Sequence, residues 1–178
     1  MGRNADVLAQ VRPARVSVTC HQRRWALDLD TAHDWVGAVG FDLDGLTGVF
    51  PGSVGDDDVD AMFHLAVSDP DIDRRWRNAA RVALGRGGGR DWWWSANLIR
   101  RALAAWPYIN GKLLLSGVNA RAMPLPDWLD ACYMLLWGNT DENGRIKLDL
   151  ELSMPPAGVA IRQTKQAKTR MLADFAAD

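Results

Sequence analysis

The sequence predicts a mainly α (α+β) fold, an N-terminal β-hairpin followed by a compact bundle of five or six helices. Three observations predict it: one pair of alternating segments near the N-terminus, a succession of apolar stripes at helical spacing after it, and Gly or Pro punctuation between the stripes. In "RVSVTCHQRRWALDLD", Val16, Val18 and Cys20 alternate with polar residues, as do Trp25, Leu27 and Leu29 beyond "HQRR". A period of two on both sides of a polar stretch predicts a hairpin. Its turn is expected to be a longer one, because no Asn-Gly pair stands between the two runs.

Thr31 to Val39 suits one short helix, and Gly40 to Gly55, punctuated by Gly and Asp, reads as a loop. Val59, Met62, Phe63, Ala66 and Val67 then fall at i, i+3, i+4, i+7 and i+8, which predicts an amphipathic helix with that stripe on the core. A helix after "SDP" carries Ile72, Trp76, Ala79, Ala80 and Ala83 on one face and ends at "GRGGGR", a flexible break near 85–90. Asp91 caps the next helix, whose stripe is Trp92, Ala96, Ile99, Leu103 and Trp106, while Trp93 and Trp94 point elsewhere. Pro107 and the Leu113 to Leu115 run suggest a short helix closed by Gly117. "PLPDWLDACYMLLWG" is a helix that is apolar nearly all round, and is expected to be the most buried element. "ENGRIKLDLELS" stays open between strand and helix, since Ile146, Leu148, Leu150 and Leu152 alternate while 146/150 and 148/152 also suit a helix. Arg162 to Ala177 reads as a basic-then-apolar terminal helix. The organisation expected is an N-terminal arm at 1–13, a single mainly helical domain at 14–155, and a mobile C-terminal helix at 156–178 with too narrow an apolar patch to be stable alone.

The composition narrows the function classes. No apolar span is long enough for a membrane helix and the first residues lack the apolar stretch of a secretory signal, so a cytoplasmic address and no membrane partner are expected. Cys20 and Cys132 have no C-x-x-C spacing, which suits a reducing compartment and offers no metal framework. With 21 basic and 22 acidic residues the formal charge is −1, so no global field draws the chain to nucleic acid. Nine tryptophans are the unusual feature. Trp is favoured in cores and at interfaces, and a domain of this size is expected to hide some of them in a partner.

Several motifs imitate catalytic sites. "FDLDG" with "GDDDVD" approximates the phosphoryl-transfer box and acidic motif of Mg-dependent haloacid-dehalogenase-like phosphatases. Leu46 intrudes before Thr47, the second motif follows too soon, and the alternating βα pattern is missing downstream. The acids Asp56, Asp57 and Asp58 are better explained as residues of a helix N-terminus, and Asp42 and Asp44 as structural. "NTDENGRIKLDLE" matches several positions of a calcium loop, but Leu150 stands where the bidentate Glu belongs and Glu151 is one residue late. His21, His33 and His64 share no metal-like spacing, and the arginines of the helix after "SDP" keep company with Asp69, Asp71 and Asp73, as a salt-bridged face does. No catalytic residue, metal or cofactor is expected.

The run "RDWWWSANLIRRALAAWPYINGKLLLSGVNARAMPLPDWLDACYMLLWGNTDENGRIKLDLELSMPP", with "WALDLDTAHDWVGAVGFDLDGLTGVFPG" and "DPDIDRRWRNAARVALGRG" before it, resembles tail assembly chaperones of actinobacterial siphophages. The resemblance covers about Trp25 to Pro156 and lies in Trp-rich segments rather than in a catalytic box. It implies a non-enzymatic protein of the bacterial host's cytoplasm that coats the tape-measure protein, keeps it soluble and recruits major tail-tube subunits, with self-association possible. Such a partner is a long helix with an apolar stripe, which calls for apolar grooves and surplus aromatics. Trp93, Trp94, Trp128, Trp137, Met171 and Phe175 are the candidate partner-binding residues, though each tryptophan also fits a core position. A permanent structural or scaffold component of a virion is the alternative, and the phosphatase a more distant one.

Overall fold

The computed structural model describes residues 15–41, 46–55, 58–157 and 159. The N-terminal arm, Asp42, Asp44, Asp56, and Met171 and Phe175 of the expected terminal helix lie outside the described residues. The fold is mainly helical, as the periodicities predict: a two-stranded antiparallel hairpin followed by eight α-helices among the described residues.

The hairpin pairs β1 (Arg15–Cys20) with β2 (Arg23–Asp28), Val18 opposite Trp25 and Val16 opposite Leu27. The alternating apolar residues all turn inward: Val16, Val18, Cys20, Trp25 and Leu27 are buried. The turn differs from the expectation. Cys20 faces Arg23, so only His21 and Gln22 connect the strands, both with positive φ (52° and 62°). Two residues with positive φ match the right-handed twist of the strands, which is why so short a loop forms even without Asn-Gly. A tertiary contact helps hold it, since His21 Nδ1 lies 3.2 Å from the Asp69 carboxylate ahead of the fourth helix.

Helix α1 (Ala32–Phe41) follows as expected, but the predicted loop after it contains a further helix, α2 (Leu46–Gly52). Gly and Pro51 weaken α2 locally, and its packing overrides that weakness. Leu46, Val49 and Phe50 are buried, and Phe50 meets Trp25 edge-on and stacks with Trp76, both at 6.1 Å. Trp25, Phe50 and Trp76 thus tie β2, α2 and the helix that carries Trp76 into one core.

Helix α3 (Val59–Ser68) forms where predicted and is turned the other way. Only Met62 of its stripe is buried, while Val59, Phe63, Ala66 and Val67 face solvent. Helix α4 (Ile72–Gly88) buries the predicted face and continues four residues into "GRGGGR", stopping where Gly89 adopts a left-handed φ of 63°. Its last glycines are sites of close approach. A Cβ on Gly88 would collide with Ser95 Oγ, and one on Gly87 would lie 2.6 Å from Leu29 Cδ1. This run joins α4 to its neighbours instead of separating two parts of the chain.

Helix α5 (Trp92–Ala104) packs against α1, α4 and two later helices. Ser95, Ala96, Leu98, Ile99 and Ala102 are all fully buried. Helix α6 (Trp106–Leu115) ends before Gly117, and a 3-10 turn (Ala120–Ala122) leads to α7 (Leu125–Gly138). The mostly apolar α7 was expected to be the most buried element, yet Met134 is exposed and Asp127 and Asp130 line its outer face. Backbone bonds from Leu125 N to Leu29 O (2.7 Å) and Ala32 N to Met123 O (2.9 Å) join its start to the end of the hairpin.

The ambiguous segment is a helix, α8 (Glu142–Ser153). Asp141 caps it by accepting a hydrogen bond from Gly144 N at 2.8 Å, so the calcium-loop likeness is a capped helix start. Asn97 of α5 closes the other end. Its Nδ2 donates to the carbonyls of Leu152 (3.2 Å) and Met154 (3.0 Å), groups that a helix C-terminus leaves unpaired.

Candidate partner-binding site

The four candidate tryptophans do not form one surface. Trp94 is 4% exposed and Trp128 is 2% exposed, so both belong to the core and offer a partner almost nothing. Helix geometry explains this: Trp94 shares a face with Leu98, and Trp128 with Cys132, all directed inward. Trp94 lies 5.5 Å from Tyr133, and the Arg90 guanidinium covers it at 4.4 Å. Tyr133 has its hydroxyl pKa raised by burial and by its 2.8 Å hydrogen bond to Asp149, which fastens α7 to α8.

Trp93 and Trp137 are half-buried, near opposite ends of α8. Trp93 donates its indole N–H to Ser153 O at 3.3 Å, so it helps close α8 together with Asn97. Trp137 has the Arg145 guanidinium stacked on it at 3.9 Å, and Arg145 Nε donates to the Trp137 carbonyl. Each keeps some accessible ring, with its polar or π partner already supplied within the chain.

The large apolar side chains left in water are mostly others. On α3, Val59, Phe63 (69% exposed) and Val67 stand at i, i+4 and i+8. On α8 and just beyond it, Ile146, Leu150 (65% exposed) and Met154 repeat the same spacing, while Leu148 and Leu152 fill the opposite, core-facing side. Leu114 and Leu115 are exposed at the end of α6. The alternation that left this segment ambiguous is therefore the signature of a helix with two apolar faces. Charged neighbours frame the α8 stripe, with Lys147 and Glu151 3.9 Å apart.

A concave feature lies between α1, the α5–α6 corner and the 3-10 turn. It is a groove of about 390 Å³ lined by Val36, Gly37, Gly40, Leu103, Trp106 and Trp128, with His33 and Arg121 also at its wall. Trp106 stacks on Trp128 at 6.0 Å to form one side. Of these residues only Trp128 was singled out from sequence. Leu103 and Trp106 read as core stripe, and the spacing of Gly37 and Gly40 on one face of α1 was the available signal.

Polar clusters elsewhere are internally paired. Asp69 accepts from Asp71 N at 2.9 Å, which holds its carboxyl below the usual range, and pairs with Arg75 at 2.7 Å. Arg74 pairs with Asp71 at 2.8 Å, so with the Arg75–Asp69 pair the arginine-lined cleft on α4 carries counter-charges, and Arg23 pairs with Asp58 beside the hairpin. Among the described residues, no group of three or more His, Cys, Asp or Glu is placed to hold a metal ion. Those residues also contain one antiparallel strand pair, whereas a phosphatase of the haloacid-dehalogenase kind needs a parallel sheet. No helix among the described residues is long and apolar enough to cross a membrane. Comparison with known protein families, curated proteins and solved structures finds no match to this chain in any of the three.

Proposed function

We propose that this protein is a non-enzymatic chaperone of phage tail assembly in the host cytoplasm, which binds the tape-measure protein and helps recruit tail-tube subunits. The observation that carries the reading is the pair of solvent-facing apolar stripes on α3 and α8, each at i, i+4, i+8 spacing. Two such stripes on one small chain exceed the scatter of single exposed apolar residues that any surface has. A stripe of that period is the half of a helix-to-helix contact that lacks its other half, and an amphipathic helix supplies the missing half. The tape-measure protein, a long helical chain with an apolar stripe, has that chemistry. The likeness of Trp25 to Pro156 to tail assembly chaperones supports the same partner.

Fractionation of infected cells tests this. The chain is expected with the tape-measure protein in assembly intermediates and absent from purified virions. Stoichiometric retention in virions would make it a permanent structural component instead.

A further inference from the structure

We infer that the groove between α1, α5 and α6 is an anchor pocket for one bulky apolar side chain of an amphipathic partner helix that carries an acidic residue one turn away. The inference rests on the proposed function and assigns part of that binding to a defined place. Its volume, about 390 Å³, falls near the lower end of roughly 300–1,000 Å³ typical of small-ligand pockets. That space suits a side chain or two, and its lining is largely apolar.

Glycine shapes the groove. Gly40 lets Leu103 lie against α1, since a Cβ there would collide with Leu103 Cδ1. A Cβ on Gly37 would meet nothing within 4 Å, so the helix backbone itself is part of the open wall. Trp106 is half-buried and held flat by the buried Trp128 stacked on it, so its ring supplies a rigid aromatic side, the kind of surface on which binding energy concentrates.

Charge then selects the partner. The cationic or titratable groups of the groove are Arg121 and His33, both exposed, and neither side chain makes an ion pair with another described residue. Because these groups sit in water beside an apolar floor, the groove has no buried cradle for a free anion. It fits a ligand that buries an apolar group while holding a carboxylate at the solvent edge. A helix with Phe or Leu at one position and Glu three or four residues away presents both on one side.

The test uses the full chain and a fluorescently labelled synthetic amphipathic helix with a Phe in its apolar stripe and a Glu one turn from it. The same peptide with Phe→Ala or Glu→Lys serves as comparison. Gly37→Leu fills the groove without meeting a neighbour at its Cβ and replaces a helical glycine by a better helix former, so its thermal midpoint should stay level or rise. It is expected to weaken binding by about tenfold or more, the loss typical of a blocked anchor. Arg121→Glu is expected to weaken the Glu peptide roughly fivefold, in keeping with an exposed pair, and to improve binding of the Lys peptide. If Gly37→Leu binds like the wild type while Phe63→Ser or Leu150→Ser binds poorly, the groove inference is wrong and the proposed function stands. Failure of the wild-type chain to bind any peptide would remove both. A self-associated wild type converted to monomer by Gly37→Leu would make a second copy the occupant and overturn the inference.

Discussion

Burial pushes the Cys132 thiol up to about 12 from an ordinary value of 9.0, and raises that of Cys20 as well. Both cysteines are free and buried, so neither presents a thiolate at neutral pH. A disulfide-exchange reagent should leave the native chain unmodified and react with both thiols once denaturant unfolds it. The same shift sets a pH dependence. A thiol with a raised native pKa favours the folded state fully below about 9 and loses that contribution as pH rises from 9 toward 12. Unfolding free energy should therefore fall across that window, which denaturant titrations at successive pH values would measure. Single residues were the least legible scale in the sequence. Trp94 and Trp128 looked as available as Trp93 and Trp137, because a helical period fixes the relative directions of side chains and not which direction meets the core.

Elements were legible wherever local chemistry and packing agree. The hairpin strands, α5, α6 and the buried face of α4 follow from period and punctuation alone. The misread segments are those where tertiary contacts overrule local preference: the His21-Gln22 turn, the Pro-containing α2 and the glycines that end α4. The turn offers a test. Gln22→Gly removes the cost of a left-handed non-Gly residue and adds chain entropy to the unfolded state, for a net gain of about 0.5–1 kcal/mol in chemical denaturation. The α4–α5 approach offers the opposite case. Gly88→Ala must displace the buried Ser95 and should cost about 1–3 kcal/mol, the usual range for overpacking. At the end of α8, Asn97→Ala leaves carbonyls of the last turn without their donor and should cost about 1–2 kcal/mol. Hydrogen exchange should localise that loss to α8, and no change in its protection would contradict the capping role.

At the scale of the whole molecule, α4 and α5 take the centre and α3 touches the core mainly through Met62, flanked by the half-buried Ala61 and Leu65. That arrangement explains why a stripe that looks core-facing in sequence ends up in water. The hairpin and α2 pack closely on α4, whereas α3 packs closely on no other described element. The period of a stripe was readable, but its owner was not, since the sequence does not record which of several apolar faces reaches the core first. The groove was still less legible, because it is assembled from α1, α5, α6 and the 3-10 turn, which are distant in sequence. The central claim is that the outward stripes hold a partner's amphipathic helices, and co-expression with the tape-measure protein tests it most directly. The tape-measure protein should move from the insoluble to the soluble fraction and co-purify with this chain, and a Phe63→Ser, Leu150→Ser double variant that still folds should lose much of that effect. Equal solubility of the tape-measure protein with and without this chain would contradict the account.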